Sequence, residues 1–175
     1  LLNHKLPKIR TTAEKLLKAT GTESRQAVLE AFRSALTLKG DARHGATVFA
    51  SICANCHKLG NTGHDIGPDL RSVAANDAEK LLVAILDPNA AVLPGFNAYN
   101  CELTDGEELY GLIGEETATS ISLKLLDGTT RHILRTQVKA LRSSRLSLMP
   151  EGLEANLKSQ DFADVIAFIR QPGGQ

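Results

Sequence analysis

The sequence predicts a mainly α-helical fold that carries an inserted small antiparallel β-sheet or barrel and an N-terminal helical hairpin. Two patterns predict it. Apolar residues recur at helical spacing over the first 86 residues and again at the end, while between Phe96 and Val138 the period changes to two. The composition fits a globular domain: of 175 residues, 42% are hydrophobic and 23% charged, which excludes disorder, collagen and coiled coil. Twenty basic side chains balance twenty acidic ones, so the charge advertises neither nucleic acid nor an anionic membrane as partner. No apolar run approaches the roughly 18 residues of a membrane-spanning helix. A chain beginning at Leu1 reads as a soluble piece of something larger.

In chain order, Ile9, Ala13, Leu16 and Leu17 mark a first helix, and Ala27, Val28, Ala31, Phe32, Ala35 and Leu36 a second, with Gly21-Thr22 between them. A two-helix hairpin cannot bury its own stripe, so residues 1–40 must pack on the rest of the chain or on a preceding domain. A third helix is expected over about 41–52, capped by Asp41, with Ala46, Val48, Phe49 and Ile52 inward. A polar, Gly-rich loop follows from Lys58 to Asp69. Asn76 is then expected to cap a helix carrying Leu81, Leu82, Ile85 and Leu86, which stops at Asp87-Pro88. Between strands, Thr104-Asp105-Gly106 and Asp127-Gly128 supply hairpin turns. Residues 101–119 hold six carboxylates and no Lys or Arg, and residues 120–147 hold six basic residues and one Asp, which predicts cross-strand pairing of opposite charges. Cys101 alternates with Tyr99 and Leu103 and reads as a buried strand position. A short helix over Pro150–Leu157 and a longer one capped by Ser159, with Phe162, Val165, Ile166, Phe168 and Ile169 inward, complete the chain.

The chemistry sits in Cys53-Ala-Asn-Cys56-His57. Two thiols three residues apart can each add to one vinyl group of a haem, and the adjacent His then reaches the iron. A thioredoxin-like redox pair and half of a zinc site are the rival readings. The first wants a strand and helix alternation that is absent here; the second wants a further ligand, for which His64 or His44 is available.

With Gly45 and Phe49 four apart ahead of the motif, Gly67-Pro68-Asp69-Leu70 after it, and Val165 and Phe168 on the terminal helix, the chain resembles class I cytochromes c. The resemblance covers about residues 41–94 and 146–171. It implies a class I cytochrome c helical fold holding covalently bound haem c, with iron, through Cys53 and Cys56. It further implies His57 as axial ligand, the Pro68 carbonyl as acceptor of the His57 proton, and Gly45 at a close crossing of the first and last helices. Met149, the single Met, stands in Ser147-Leu148-Met149-Pro150 just before the terminal helices, where that family places its second axial ligand. His64 is the substitute that would give bis-His ligation. His4, His44 and His132 are expected to face water.

The strand-rich insert is absent from short cytochromes c. With Ile85-Leu86-Asp87-Pro88-Asn89, Pro94-Gly95-Phe96 and Ser147 to Leu153, the whole arrangement is similar to the haem-binding domain at the C-terminus of large secreted, membrane-bound dehydrogenase-like proteins of planctomycetes and verrucomicrobia. That likeness implies a periplasmic or otherwise extracytoplasmic location. It divides the chain into 1–40 as the tail of a helical-repeat region, 41–95 with 146–175 as the cytochrome domain, and 96–145 as the inserted β-domain. The expected function is one-electron transfer rather than catalysis, with a fused or partner dehydrogenase as donor and a cytochrome or oxidase as acceptor. The alternative is a haem-based sensor or peroxidase-like enzyme with a displaceable sixth ligand. For the insert, a docking module and a lid over one haem edge both stand.

Overall fold

The computed structural model describes residues 22–171; the expected helix around Ile9–Leu17 and the stop at Pro172 lie outside them. The described residues hold four α-helices: α1 (Thr22–Phe32), α2 (Ala42–Ile52), α3 (Ala78–Leu86) and α4 (Ser159–Arg170). They also hold five strands: β1 (Asn97–Leu103), β2 (Glu108–Glu116), β3 (Ser120–Leu125), β4 (Thr130–Leu134) and β5 (Val138–Ser147). The sheet is antiparallel throughout, in the order β4-β3-β2-β1-β5. Helix takes 39% and strand 27%, so the expectation of a mainly α, class I cytochrome c helical fold is overturned. The physical reason is that the strand segment is no appendage. It closes a core of its own around Cys101, Leu103, Leu109, Ile121, Leu123 and Ile133, separate from the helical core. No described helix is long and apolar enough to cross a membrane.

Local chemistry explains the element ends. Asp41 caps α2, its side chain accepting from Arg43 N at 2.9 Å and His44 N at 3.5 Å. The cap of α3 is Asp77, accepting from Lys80 N at 2.7 Å, one residue beyond the expected Asn76. At α4 the expected cap Ser159 is already helical, and its hydroxyl bonds the Ser34 hydroxyl at 3.0 Å. Asp161 serves that helix end instead, accepting from Lys158 N at 2.7 Å. The stretch expected as a short helix over 150–157 is a 3-10 turn, Leu153–Asn156. In the hairpins, Asp105 accepts from Glu107 N and Asp127 from Thr129 N, each across an intervening glycine in the left-handed region, Gly106 (φ 93°) and Gly128 (φ 85°).

Opposite charges pair across the sheet as expected: Arg131 with Glu107 at 3.0 Å, Arg135 with Glu116 and Lys139 with Glu102. Each pair is half-exposed and screened by water, so it favours register more than stability.

The helical core gathers Val48 and Phe49 of α2, Leu81, Leu82 and Leu86 of α3, and Phe162, Val165, Ile166 and Ile169 of α4. α1 packs on this core through Val28, Leu29 and Phe32, whose ring meets Phe162 edge-on at 5.0 Å. α2 and α4 cross closely enough that a Cβ built on Gly45 would overlap the Asp164 carbonyl. Phe49 and Phe168 meet beside the crossing with their rings tilted, centroids 5.6 Å apart.

A buried carboxylate also fastens this crossing. Asp164, only 2% exposed, accepts from Asp41 N, from Gln160 Nε2 and from His44 Nδ1, each at 2.7 Å. Burial alone would raise its carboxyl, but these donors outweigh that and hold it below the usual carboxylate range. His44, expected simply to face water, is half-exposed with its ring turned onto Asp164. Asp164→Ala leaves these donors without their acceptor and should cost about 3 kcal/mol in urea unfolding.

Candidate cofactor site

α2 delivers the chain straight into a 3-10 turn, Cys53–Asn55. Cys56 N donates to Cys53 O at 3.1 Å and His57 N to the same oxygen at 2.8 Å. One turn of backbone therefore carries both thiols and the imidazole. The thiols are free and half-buried. Burial, with a smaller contribution from Cys56, pushes the Cys53 thiol up to about 11, and burial raises Cys56 as well. Reactive redox thiols have depressed values, so this pair lacks the character of a thioredoxin-like couple. Among the described residues no three His, Cys, Asp or Glu side chains converge as a metal-binding set, which leaves the zinc reading without a donor set.

The loop after the motif folds back under it. His64 N donates to Ala54 O at 3.1 Å, and Ile66 N and Gly67 N both donate to Cys56 O, at 3.0 and 2.7 Å. Two consequences converge on His57. Its Nδ1 lies 2.9 Å from Pro68 O, and a Cβ on Gly67 would come within 2.5 Å of the ring carbon Cε1. The backbone at 67–68 is therefore shaped around the imidazole. Burial lowers the His57 pKa, against the opposing pull of the Pro68 carbonyl, which keeps the ring neutral at pH 7. With Nδ1–H directed at Pro68 O, Nε2 carries the free lone pair that a metal requires.

Met149 arrives on a different segment. β5 shifts register against β1 between the Asn97 and Tyr99 pairings, and Arg145 there takes a left-handed backbone, φ 60°. Ser147 N then donates to Asn89 Oδ1 at 2.9 Å, and Met149 N donates to Ser147 Oγ at 3.1 Å. Met149 is half-buried. Its neighbour Leu148 packs in one cluster with Ile66, Ala98 and Leu112, against which Cys56, Phe96 and Tyr110 lie. Cys53, Cys56, His57 and Pro68 thus form one group, and Leu148 is what ties the Met149 segment to it. The contribution of Ile66 and Leu112 carries no local sequence signal, since it depends on how the sheet docks.

Residues 40–112 match the family model described as cytochrome C oxidase, cbb3-type, subunit III. This stretch is similar to a c-type cytochrome domain. The cofactor of such a domain is haem c, with iron, bound covalently. The residues present fit that group: two free thiols and a neutral, oriented imidazole leave a single turn, and a glycine makes room for the ring. The match spans less than half of the chain, and Met149 and α4 lie outside it. No curated protein matches the chain.

Proposed function

We propose that the cytochrome domain is a one-electron carrier in which Cys53 and Cys56 would hold haem c by thioether bonds while His57 Nε2 and Met149 Sδ would be the protein's ligands to its iron. The observation that carries this reading is the 2.9 Å contact between His57 Nδ1 and Pro68 O. A ring oriented through its second nitrogen is how proteins prepare an imidazole for a metal. When bound, the haem supplies a centre that cycles between ferrous and ferric states. The chain's own residues do the rest. The Pro68 carbonyl accepts the hydrogen bond from His57 Nδ1–H and raises the basicity of the opposite nitrogen. Ile66, Leu148 and Phe96 pack beside Cys56 and keep water from that side. A thioether opposite imidazole favours the reduced state and raises the potential.

With His57 and Met149 both committed to the iron, no ligand position would be left for a substrate. That separates the carrier from a sensor or peroxidase-like enzyme. In this reading the donor is a fused or docked dehydrogenase, the acceptor is a cytochrome or oxidase, and maturation takes place outside the cytoplasm. Residues 41–95 and 146–175 form the cytochrome unit around the insert.

The test is spectroscopic, on protein matured with haem. The pyridine haemochrome should report two thioether bonds, and the ferric form should show the weak band at the red end of the visible that marks a sulfur ligand. Met149→Ala should lose that band, keep its haemochrome and bind carbon monoxide rapidly when reduced. Colourless wild-type protein, or a wild type that already binds carbon monoxide fast and completely, overturns the proposal.

A further inference from the structure

The segment Asp65–Pro68 is fastened from two sides. The motif holds it through the two bonds to Cys56 O already described. The sheet holds it through side chains. Ile66, 5% exposed, is buried with Ala98 of β1, Leu112 of β2 and Leu148. Lys124 of β3 donates from Nζ to Asp65 O at 2.6 Å and to Asp65 Oδ2 at 3.0 Å. Leu112 and Lys124 are register partners, so both project from the same face of the sheet. Beside Lys124 the sheet and the loop part into an open cleft of about 540 Å³ walled by Ser122, Thr130 and His132, which confines the fastening to this end. The opposite face buries Leu123, 0% exposed, in the separate sheet core.

We propose that Leu112 and Lys124 are positioning residues for His57: by fixing Asp65 and Ile66 they hold the Pro68 carbonyl on His57 Nδ1, so the inserted sheet is a working wall of the cytochrome site. The geometry stands by itself; the readout rests on the carrier reading above. Loosening the wall weakens the Nδ1–H···O bond, makes the imidazole a poorer electron donor and destabilises ferric relative to ferrous iron.

The experiment compares Leu112→Ala, Lys124→Gln and the control Leu123→Ala in haem-loaded protein. It measures the midpoint potential, the solvent exchange of the His57 Nδ1 proton by NMR, and the melting temperature. Leu112→Ala and Lys124→Gln should raise the potential and speed that exchange, whereas Leu123→Ala should lower the melting temperature with the potential unchanged. The sign for Lys124→Gln is diagnostic, because loss of a positive charge acting only through its field would lower the potential. Lys124 lies at the rim, so its variant reports even if Leu112→Ala fails to fold. A rise in either variant that the control lacks supports the proposal. No rise in either, or an equal rise in the control, overturns it. The wild-type haemochrome and sulfur band test the carrier reading, and the variant differences test the positioning, so the two failures are distinguishable.

Discussion

Arg25→Met should cost about 3 kcal/mol of folding stability, because it strands the partly buried carboxylate of Glu154. Arg25 is 7% exposed and reaches from α1 to two other elements. Its Nη1 donates to Glu154 Oε1 at 2.7 Å, and its Nη2 donates to Glu154 Oε2 at 3.2 Å and to the Leu86 carbonyl that ends α3. Among the described residues Arg25 Nε has no hydrogen-bond partner. The bond from Arg25 holds the Glu154 carboxyl below its ordinary value of 4.5. A depressed carboxylate stabilises the fold fully above that ordinary value and progressively less as pH falls through the folded one. In the variant the depression due to Arg25 is lost, and protonation removes the stranded charge. The gap between wild type and variant, read from urea unfolding, should therefore be largest near neutrality and narrow below about pH 4.5. A gap that is constant with pH would show that the cost is lost packing rather than the stranded charge.

The second large effect is expected at Gly45, where Ala should cost about 3 kcal/mol. The Cβ would overlap backbone, the Asp164 carbonyl, and come within 2.9 Å of the Phe168 Cβ. Neither can swing aside as a long side chain could. α2 and α4 would have to separate, which pulls Asp41 N and His44 away from Asp164 and opens the Phe49–Phe168 contact. Because α2 leads directly into the motif turn, that separation also shifts Cys53. Thermal unfolding measures the loss, and a melting temperature equal to the parent's would rule out the close crossing.

Much of this was legible in the residues, and what was not has a common cause. The cap at Asp41, the stop at Asp87-Pro88, both Asp-Gly turns and the burial of Cys101 follow from interactions within a few positions, which a sequence displays directly. The helix starts at 77–78 and 158–159 were missed by one residue because two polar candidates stood side by side, and tertiary contacts such as Ser34 with Ser159 decided between them. The fold class failed because the resemblance to short cytochromes weighted the helices, while the insert contributes five strands and a core. Within the site, the motif and the Pro68 partner of His57 could be read in advance. The ties from Asp164 to Asp41, Arg25 to Glu154 and Lys124 to Asp65 could not, since each joins residues 59 or more apart and leaves no periodic trace.

The close fit of α2 against α4 bears on how this protein can be trimmed. A fragment ending at residue 112, where the family likeness stops, would keep the thiols and the imidazole but forfeit Phe162, Val165 and Ile166, the apolar wall that Val48 and Phe49 lean on. Cutting before Gly40 would likewise bare Phe162 where Phe32 now shields it. A piece that keeps this core intact therefore has to include both Phe32 and α4, so the stretch recognisable by kinship is shorter than the stretch that packs together.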